Sequence, residues 1–210
     1  MSYTTAQNAI KPDDALLFEV ASEQQGYFTA AQANASGFGW SLLSYFAKTG
    51  RFIRIHRGLY RLRDYPSSPR EEVMAAWLAA GKEIAVVSHE SALDLLGLSD
   101  VIPNAIHLTV PRSRSNAVVL PGVILHTTIH PAGPDETMIR EGMRVTAPIR
   151  TILDAAQSGT QPDQIEQAVS ETIARGLILP QHLSAAANER GGRVADLIAR
   201  SLEQARLVQR

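Results

Sequence analysis

The chain of 210 residues contains no cysteine. That absence excludes a disulfide scaffold, a thiolate zinc site, an iron–sulfur cluster and a cysteine nucleophile. No apolar run approaches the ~18 residues of a membrane span, and Met1–Asp14 lacks the basic, apolar, small-residue order of a secretory signal. The expectation is a cytoplasmic protein with no membrane partner. Gly-x-Ser-x-Gly is missing, as is a phosphate loop ending in Gly-Lys-Ser/Thr. Lysine is scarce: Lys11, Lys48 and Lys82 follow Ala9, Phe46 and Ala80 at two residues' distance, so no acid-x-Lys nuclease motif exists. No Gly-Ser followed by Asp-x-Asp offers ligands for two-metal nucleotidyl transfer. The expectation is therefore a non-enzyme, with no catalytic residue, no cofactor and no metal.

An excess of charge of either sign is also missing, with 20 Lys+Arg against 21 Asp+Glu. The near-neutral sum hides an uneven distribution. Lys48, Arg51, Arg54, Arg57, Arg61 and Arg63, with His56 among them, fall in one stretch that holds no acid. Uncompensated cations so close together create a strong local positive potential, the footprint of a phosphate-binding surface.

The residues around this stretch read as a small domain. Asp13 and Asp14 favour a helix start, followed by Leu16, Leu17, Val20 and Ala21 at helical spacing, with Gly26 beyond as a stop. Thr29-Ala-Ala-Gln32 is a capping box opening a short second helix. After the turn Gly37-Phe38-Gly39, a third helix runs to Thr49, with Leu42, Leu43 and Phe46 inward and Ser41, Ser44, Tyr45 and Lys48 outward. The period then becomes two. Ile53 and Ile55 are expected on one face of a hairpin with Tyr60 and Leu62, and Arg54, His56, Arg61 and Arg63 on the other, with the turn at Arg57-Gly58. Three helices followed by a basic hairpin is the order of a winged helix-turn-helix, or of a protein-docking module of the same shape. Read as the former, the third helix offers Ser41, Ser44 and Tyr45 to base edges. Lys48, Arg51, Arg54, Arg57 and Arg61 contact phosphates of double-stranded DNA.

Asp64-Tyr-Pro-Ser-Ser-Pro69 reads as a linker, dividing the chain into residues 1–65 and 66–210. The second part carries helix signals over Arg70–Ala80 and from Ser88 to Gly97. Strand signals lie at Ile84–Val87, Ile106–Val110, Val123–Thr127 and Met143–Val145. Helices follow from Thr146 through Arg206. The fold class is α+β: an N-terminal winged helix-turn-helix, then a mixed α/β domain with a helical C-terminal half. His89-Glu90 begins like a zincin motif, but Leu93 stands where the second histidine belongs; Ser88 as N-cap with Glu90 in the first turn accounts for the tetrapeptide. His126 and His130 read as surface histidines with no third ligand nearby. Arg112 and Arg114 read as an exposed loop able to meet nucleic acid or an acidic partner. Arg150 and Asp154, at i,i+4, read as an ion pair.

Four motifs, in order, carry a resemblance. They are Arg51-Phe-Ile-Arg-Ile-His-Arg-Gly-Leu-Tyr-Arg-Leu62, Val87-Ser-His-Glu-Ser-Ala-Leu93, Ile106-His-Leu-Thr-Val-Pro111 and Val145-Thr-Ala-Pro-Ile-Arg-Thr-Ile-Leu-Asp154. Together, over roughly residues 14–180, they resemble the AbiEi antitoxins of type IV toxin–antitoxin (abortive infection, phage defence) systems. The resemblance implies a winged helix-turn-helix that binds inverted repeats in its own promoter and so represses its operon. It also implies a C-terminal domain that counters a nucleotidyltransferase toxin, for which His89, Glu90, Arg112 and Arg114 are candidate partner-surface residues. Where members carry arginines at the start of the third helix, this chain has Gly39, Trp40 and Ser41, which shifts the expected affinity to the hairpin. One helix-turn-helix per chain suggests a monomer in solution that pairs on DNA. A stand-alone winged-helix regulator with a sensing or partner-binding C-terminal domain is the alternative.

Overall fold

The computed structural model describes residues 11–208, so most of the N-terminal segment weighed above as a signal lies outside the described residues. The chain forms two compact units, Met1–Ala79 and Ala80–Arg210.

In the first unit, α1 (Asp14–Ser22) starts where Asp13 accepts a hydrogen bond from the Leu16 amide. A short strand β1 (Tyr27–Thr29), which has too few residues to show a period, leads into α2 (Ala30–Ala35). The Thr29–Gln32 capping box forms in both directions. Next come α3 (Trp40–Lys48), β2 (Phe52–His56) and β3 (Leu59–Leu62). The strands make an antiparallel sheet of order β1-β3-β2. Phe28, Phe38, Phe52, Leu17, Leu43 and Tyr60 form one buried cluster. Phe52 is its hub: the ring meets Phe28 edge-on at 5.0 Å, Phe46 at 5.3 Å and Phe38 at 6.0 Å.

Phe52 also corrects the hairpin phase read from the sequence. Phe52 pairs with Leu62 and Arg54 with Tyr60, whereas Ile53 lies opposite Arg61. Because side chains alternate, Phe52 and not Ile53 faces the aromatic core. A bulge between Arg54 and His56 then turns the end of β2 outward, and Ile55 is exposed. The aromatic ring outcompetes the isoleucines for the core because it covers more apolar area.

The expected linker is tied down. The Tyr65 hydroxyl donates to the Ser22 carbonyl at 3.2 Å, and the Ser68 hydroxyl to Gln25 Oε1 at 2.6 Å. The Tyr65 ring lies so close over Gly26 (φ +87°) that any Cβ there would stand 2.5 Å from it. Residues 66–79 accordingly group with the first unit rather than the second. They include most of α4 (Glu71–Ala80), whose Glu71 and Glu72 sit favourably at the positive end of the helix dipole.

The second unit is a mixed sheet. Its strands are β4 (Val86–Val87), β5 (Ile106–Pro111), β6 (Val123–Thr128), β7 (Thr137–Arg140) and β8 (Met143–Thr146), in the order β6-β5-β4-β8-β7. Register divides its faces. Val87, Leu108, Val110, Met143 and Val145 share one face and are buried. His107, Thr109, His126, Thr128 and Thr146 share the other. The unit contains α5 (His89–Leu96), α6 (Pro148–Ser158), α7 (Pro162–Ala174), α8 (Pro180–Arg190) and α9 (Gly192–Val208). Proline occupies the first turn of α6, α7 and α8, where its missing amide costs nothing. The result is the expected α+β fold with a helical C-terminal end. No described helix is long and apolar enough to cross a membrane.

Candidate nucleic-acid interface and C-terminal pocket

In the first unit α2 and α3 are joined by the turn at residues 36–39, with Phe38 buried beneath it. Leu43 anchors α3 in the core, which leaves Ser41, Ser44, Tyr45 and Lys48 exposed along the opposite side, as their spacing predicted. Trp40, at the start of the same helix, is 71% exposed. The sequence places Trp40 at the start of the third helix but gives no sign that its side chain is exposed. A helix of ~10–12 Å diameter fits the ~12 Å major groove of B-DNA.

Beside α3 stands the β2–β3 hairpin. Lys48, Arg54, His56 and Arg57 are exposed, and among the described residues none of them forms an ion pair. Gly58, at φ +82°, makes the turn possible, and its carbonyl accepts from the Ala30 amide at 2.8 Å, tying the tip to α2. Arg51 bridges helix and hairpin. Its guanidinium lies 4.6 Å from the Phe46 ring centre and pairs with Asp14 at 2.6 Å. Both partners are largely exposed, so a phosphate can displace the carboxylate at little cost. The Arg63 guanidinium is turned back to the Gly50 carbonyl.

Arg61 departs from the expected phosphate set. It is 7% exposed and belongs to the fold's interior. Its Nη2 donates to the Tyr65 and Pro66 carbonyls at 2.9 and 3.1 Å and to Glu71 Oε2 at 2.9 Å, and the guanidinium lies against Tyr27. The cause is position: β3 is the central strand, flanked on both edges, and the outer face at Arg61 is covered by the chain that follows. Burial, then the Glu71 carboxylate, pushes the Tyr27 hydroxyl above its ordinary range.

Residues 15–63 match a family model described as "Transcriptional regulator, AbiEi antitoxin". The matched segment is similar to that family over 49 of the chain's 210 residues. It covers the helices and hairpin just described. No curated protein matches the chain. Among solved structures, a protein from Mycobacterium tuberculosis, titled as the crystal structure of RV2827C protein, shares the fold. The TM-score is 0.59 at 13% identity, over 90% of this chain and 75% of that one.

Outside the AbiEi-matched segment, the second unit encloses a polar pocket of about 290 Å³, lined by His89, Thr109, His126, Arg150, Asp154 and Arg190 among others. Asp154 is the electrostatic centre. Its two oxygens accept from Arg150 Nε at 2.7 Å and Arg190 Nη2 at 2.8 Å, and Arg150 reaches on to Glu136 at 3.1 Å. The i,i+4 pair expected from the sequence is therefore part of a four-residue network. Burial alone would lower the Arg150 pKa, but the bonds to Asp154 and Glu136 raise it. Burial alone would raise Glu136, but the Gly133 amide and Arg150 hold it below its usual range.

Two histidines that line this pocket, His89 and His126, stand together with a third, His107. His107 and His126 lie on the polar face of adjacent parallel strands, offset by two residues, and His107 Nδ1 stands 2.9 Å from His126 Nε2. His89 stacks on His126 with ring centres 3.6 Å apart. This corrects three expectations. His89 is 7% exposed and does not present a partner surface. His126 is not an isolated surface histidine and has two neighbours, while His130 stands apart and exposed. The Ser88 side chain does not cap α5; its Oγ lies 2.8 Å from His89 Nδ1 and 2.7 Å from Thr109 Oγ1. Glu90 accepts from Thr160 Oγ1 at 2.9 Å. Arg112 and Arg114 are exposed on a short 3₁₀ turn after β5, as expected. The trio is invisible to linear spacing because its members come from three separate elements. The available signal was the alternation in Ile106-His-Leu-Thr-Val and Val123-Ile-Leu-His-Thr, which puts histidine on a polar sheet face twice.

Burial, followed by the neighbouring His126 and His107, lowers the His89 pKa to about 3. Burial also lowers His107 and His126, against the opposing pull of Glu90 and Asp154 respectively. The native state thus keeps His89 neutral while the unfolded chain takes up a proton below its ordinary pKa near ~6.5. The unfolded state then binds more protons, so stability falls as pH falls from ~6.5 towards 3. Between pH 7 and 5, in the presence of EDTA, His89 alone should cost about 2 kcal/mol. Urea midpoints at the two pH values test this; equal midpoints would show that the histidines protonate freely in the native state.

Proposed function

We propose that this protein is a promoter-binding antitoxin of a toxin–antitoxin pair: a non-enzymatic regulator whose first unit binds double-stranded DNA. The supporting observation is the exposed, unpaired set Lys48, Arg54 and Arg57, with displaceable Arg51, beside the polar face of α3. In this reading α3 enters the major groove with Ser41, Ser44 and Tyr45 toward base edges, and the hairpin grips backbone phosphates. Two chains, monomeric in solution, occupy an inverted repeat in the chain's own promoter and repress the operon. Residues 80–210 counter a nucleotidyltransferase toxin, with Glu90, Arg112 and Arg114 as candidate partner contacts.

A gel-shift titration on the chain's own promoter at several salt concentrations tests the DNA reading. Arg54→Ala with Arg57→Ala should weaken binding and flatten the slope of log K against log salt by about 2, since each lost phosphate contact removes ~0.9. Unchanged affinity and slope would sink the hairpin contact. Growth rescue on co-expression with a nucleotidyltransferase encoded beside it tests the antitoxin role. The pocket of the second unit favours the other reading, a stand-alone regulator with a sensing domain; promoter binding without any rescue would select it.

A further inference from the structure

We propose that His89, His107 and His126 form a binding site for one divalent transition-metal ion of the zinc class, with its fourth coordination position open to the pocket. The three rings offer one nitrogen each, all within 4.8 Å of one another. Two of these, His107 Nδ1 and His126 Nε2, are already 2.9 Å apart. In a tetrahedral ion with Zn–N bonds of ~2.0–2.1 Å the ligand nitrogens stand ~3.3 Å apart. Metal binding at that spacing requires ring rotations that unstack His89 from His126.

Two further features point the same way. The third histidine is held by its second nitrogen: Ser88 Oγ can accept from His89 Nδ1–H and donate onward to Thr109 Oγ1. In that arrangement the lone pair sits on Nε2, and a hydrogen bond to the second nitrogen is how ligating histidines are oriented in metal proteins. His89 also adopts φ +52°, a left-handed conformation rare for a residue with a Cβ, at the first position of α5. That conformation, at a cost of ~1–3 kcal/mol, carries the imidazole into the trio, and such cost is concentrated at functional positions. His89 is buried and His107 and His126 are half-buried, and the neutral imidazole is the form a metal requires. Charge near the site is balanced, because Arg150 and Arg190 are matched by Asp154 and Glu136. The imidazole donor set selects zinc-like ions over magnesium or calcium, which take oxygen ligands.

The test uses full-length protein without a polyhistidine tag, stripped with EDTA and dialysed. Titration with Zn2+ against a chromophoric chelator should saturate near one equivalent at micromolar affinity or tighter. Co2+ should give the visible absorption of a tetrahedral site, and Mg2+ should give neither effect. His107→Gln and His126→Gln should abolish binding, Ser88→Ala should weaken it ~10–100-fold while leaving all three ligands, and His130→Gln should leave it intact. No saturation in the wild-type chain, or retained binding in both glutamine variants, overturns the proposal. Should a glutamine variant fail to fold, Ser88→Ala and the Co2+ spectrum of the wild type decide.

Discussion

Asp154→Ala should destabilise the second unit by about 3 kcal/mol, enough to move its urea midpoint by more than 1 M at a typical m-value. The carboxylate is 7% exposed at its side chain and is shared by Arg150 and Arg190. Removing it leaves the Arg150 guanidinium, itself 10% exposed, facing Glu136 alone. A buried cation stripped of its nearest counter-charge cannot be rehydrated cheaply, which is why breaking such a pair costs more than the pair contributes. Two comparisons separate this cause from lost packing. Arg190→Ala removes the partner that is 30% exposed and should cost only ~1 kcal/mol, because the remaining Arg150–Asp154 bond survives. Arg150→Met combined with Asp154→Leu removes both buried charges and should recover most of the loss. A cost below about 0.5 kcal/mol for Asp154→Ala would show that the network is surface decoration.

That network shows where sequence reasoning reaches and where it stops. The Arg150–Asp154 pair was legible because both residues lie on one helix face four positions apart. Glu136 and Arg190 were not, since a 3₁₀ turn and the end of α8 bring them in from outside that helix. The same division runs through the molecule. The helix starts at Asp13, Thr29 and Pro148 were readable, because capping chemistry is local. Strand β1 escaped because three residues carry no detectable period, and β7 because Thr137-Met-Ile-Arg140 sets two apolar residues side by side and so does not alternate. The histidine trio escaped for a deeper reason. It depends on the parallel register of β5 and β6 and on the strand-to-helix corner at Ser88–His89, and register is a tertiary property. The basic stretch was legible as charge but not as geometry. Counting Lys48 to Arg63 treats all six cations alike, while the fold exposes Lys48, Arg54 and Arg57 and buries Arg61.

Arg61→Ala should therefore behave unlike its neighbours: a loss of about 2–4 kcal/mol in stability of the first unit, and no change in the salt slope of DNA binding for the fraction that remains folded. The Arg61 side chain is 9% exposed and pairs with Glu71, whose own side chain is 26% exposed. Truncation leaves the Tyr65 and Pro66 carbonyls and Glu71, all partly solvated, without their shared donor, at up to ~1 kcal/mol for each. It also removes the cation from the face of Tyr27. The segment tied by Arg61 carries Tyr65, whose ring covers Gly26, so loosening one end exposes the other. Arg61→Lys keeps the charge but loses the reach of the longer side chain and the planar guanidinium that lies against Tyr27, and should recover less than half of the loss. Arg54→Ala and Arg57→Ala, both at exposed positions, should each change stability by less than ~0.5 kcal/mol. Thermal unfolding and gel-shift titration on Arg61→Ala, Arg54→Ala and Arg57→Ala form a crossed test. If Arg61→Ala lowered the salt slope while leaving the melting temperature unchanged, the buried role assigned to Arg61 would be wrong and the six-cation reading of the hairpin would stand.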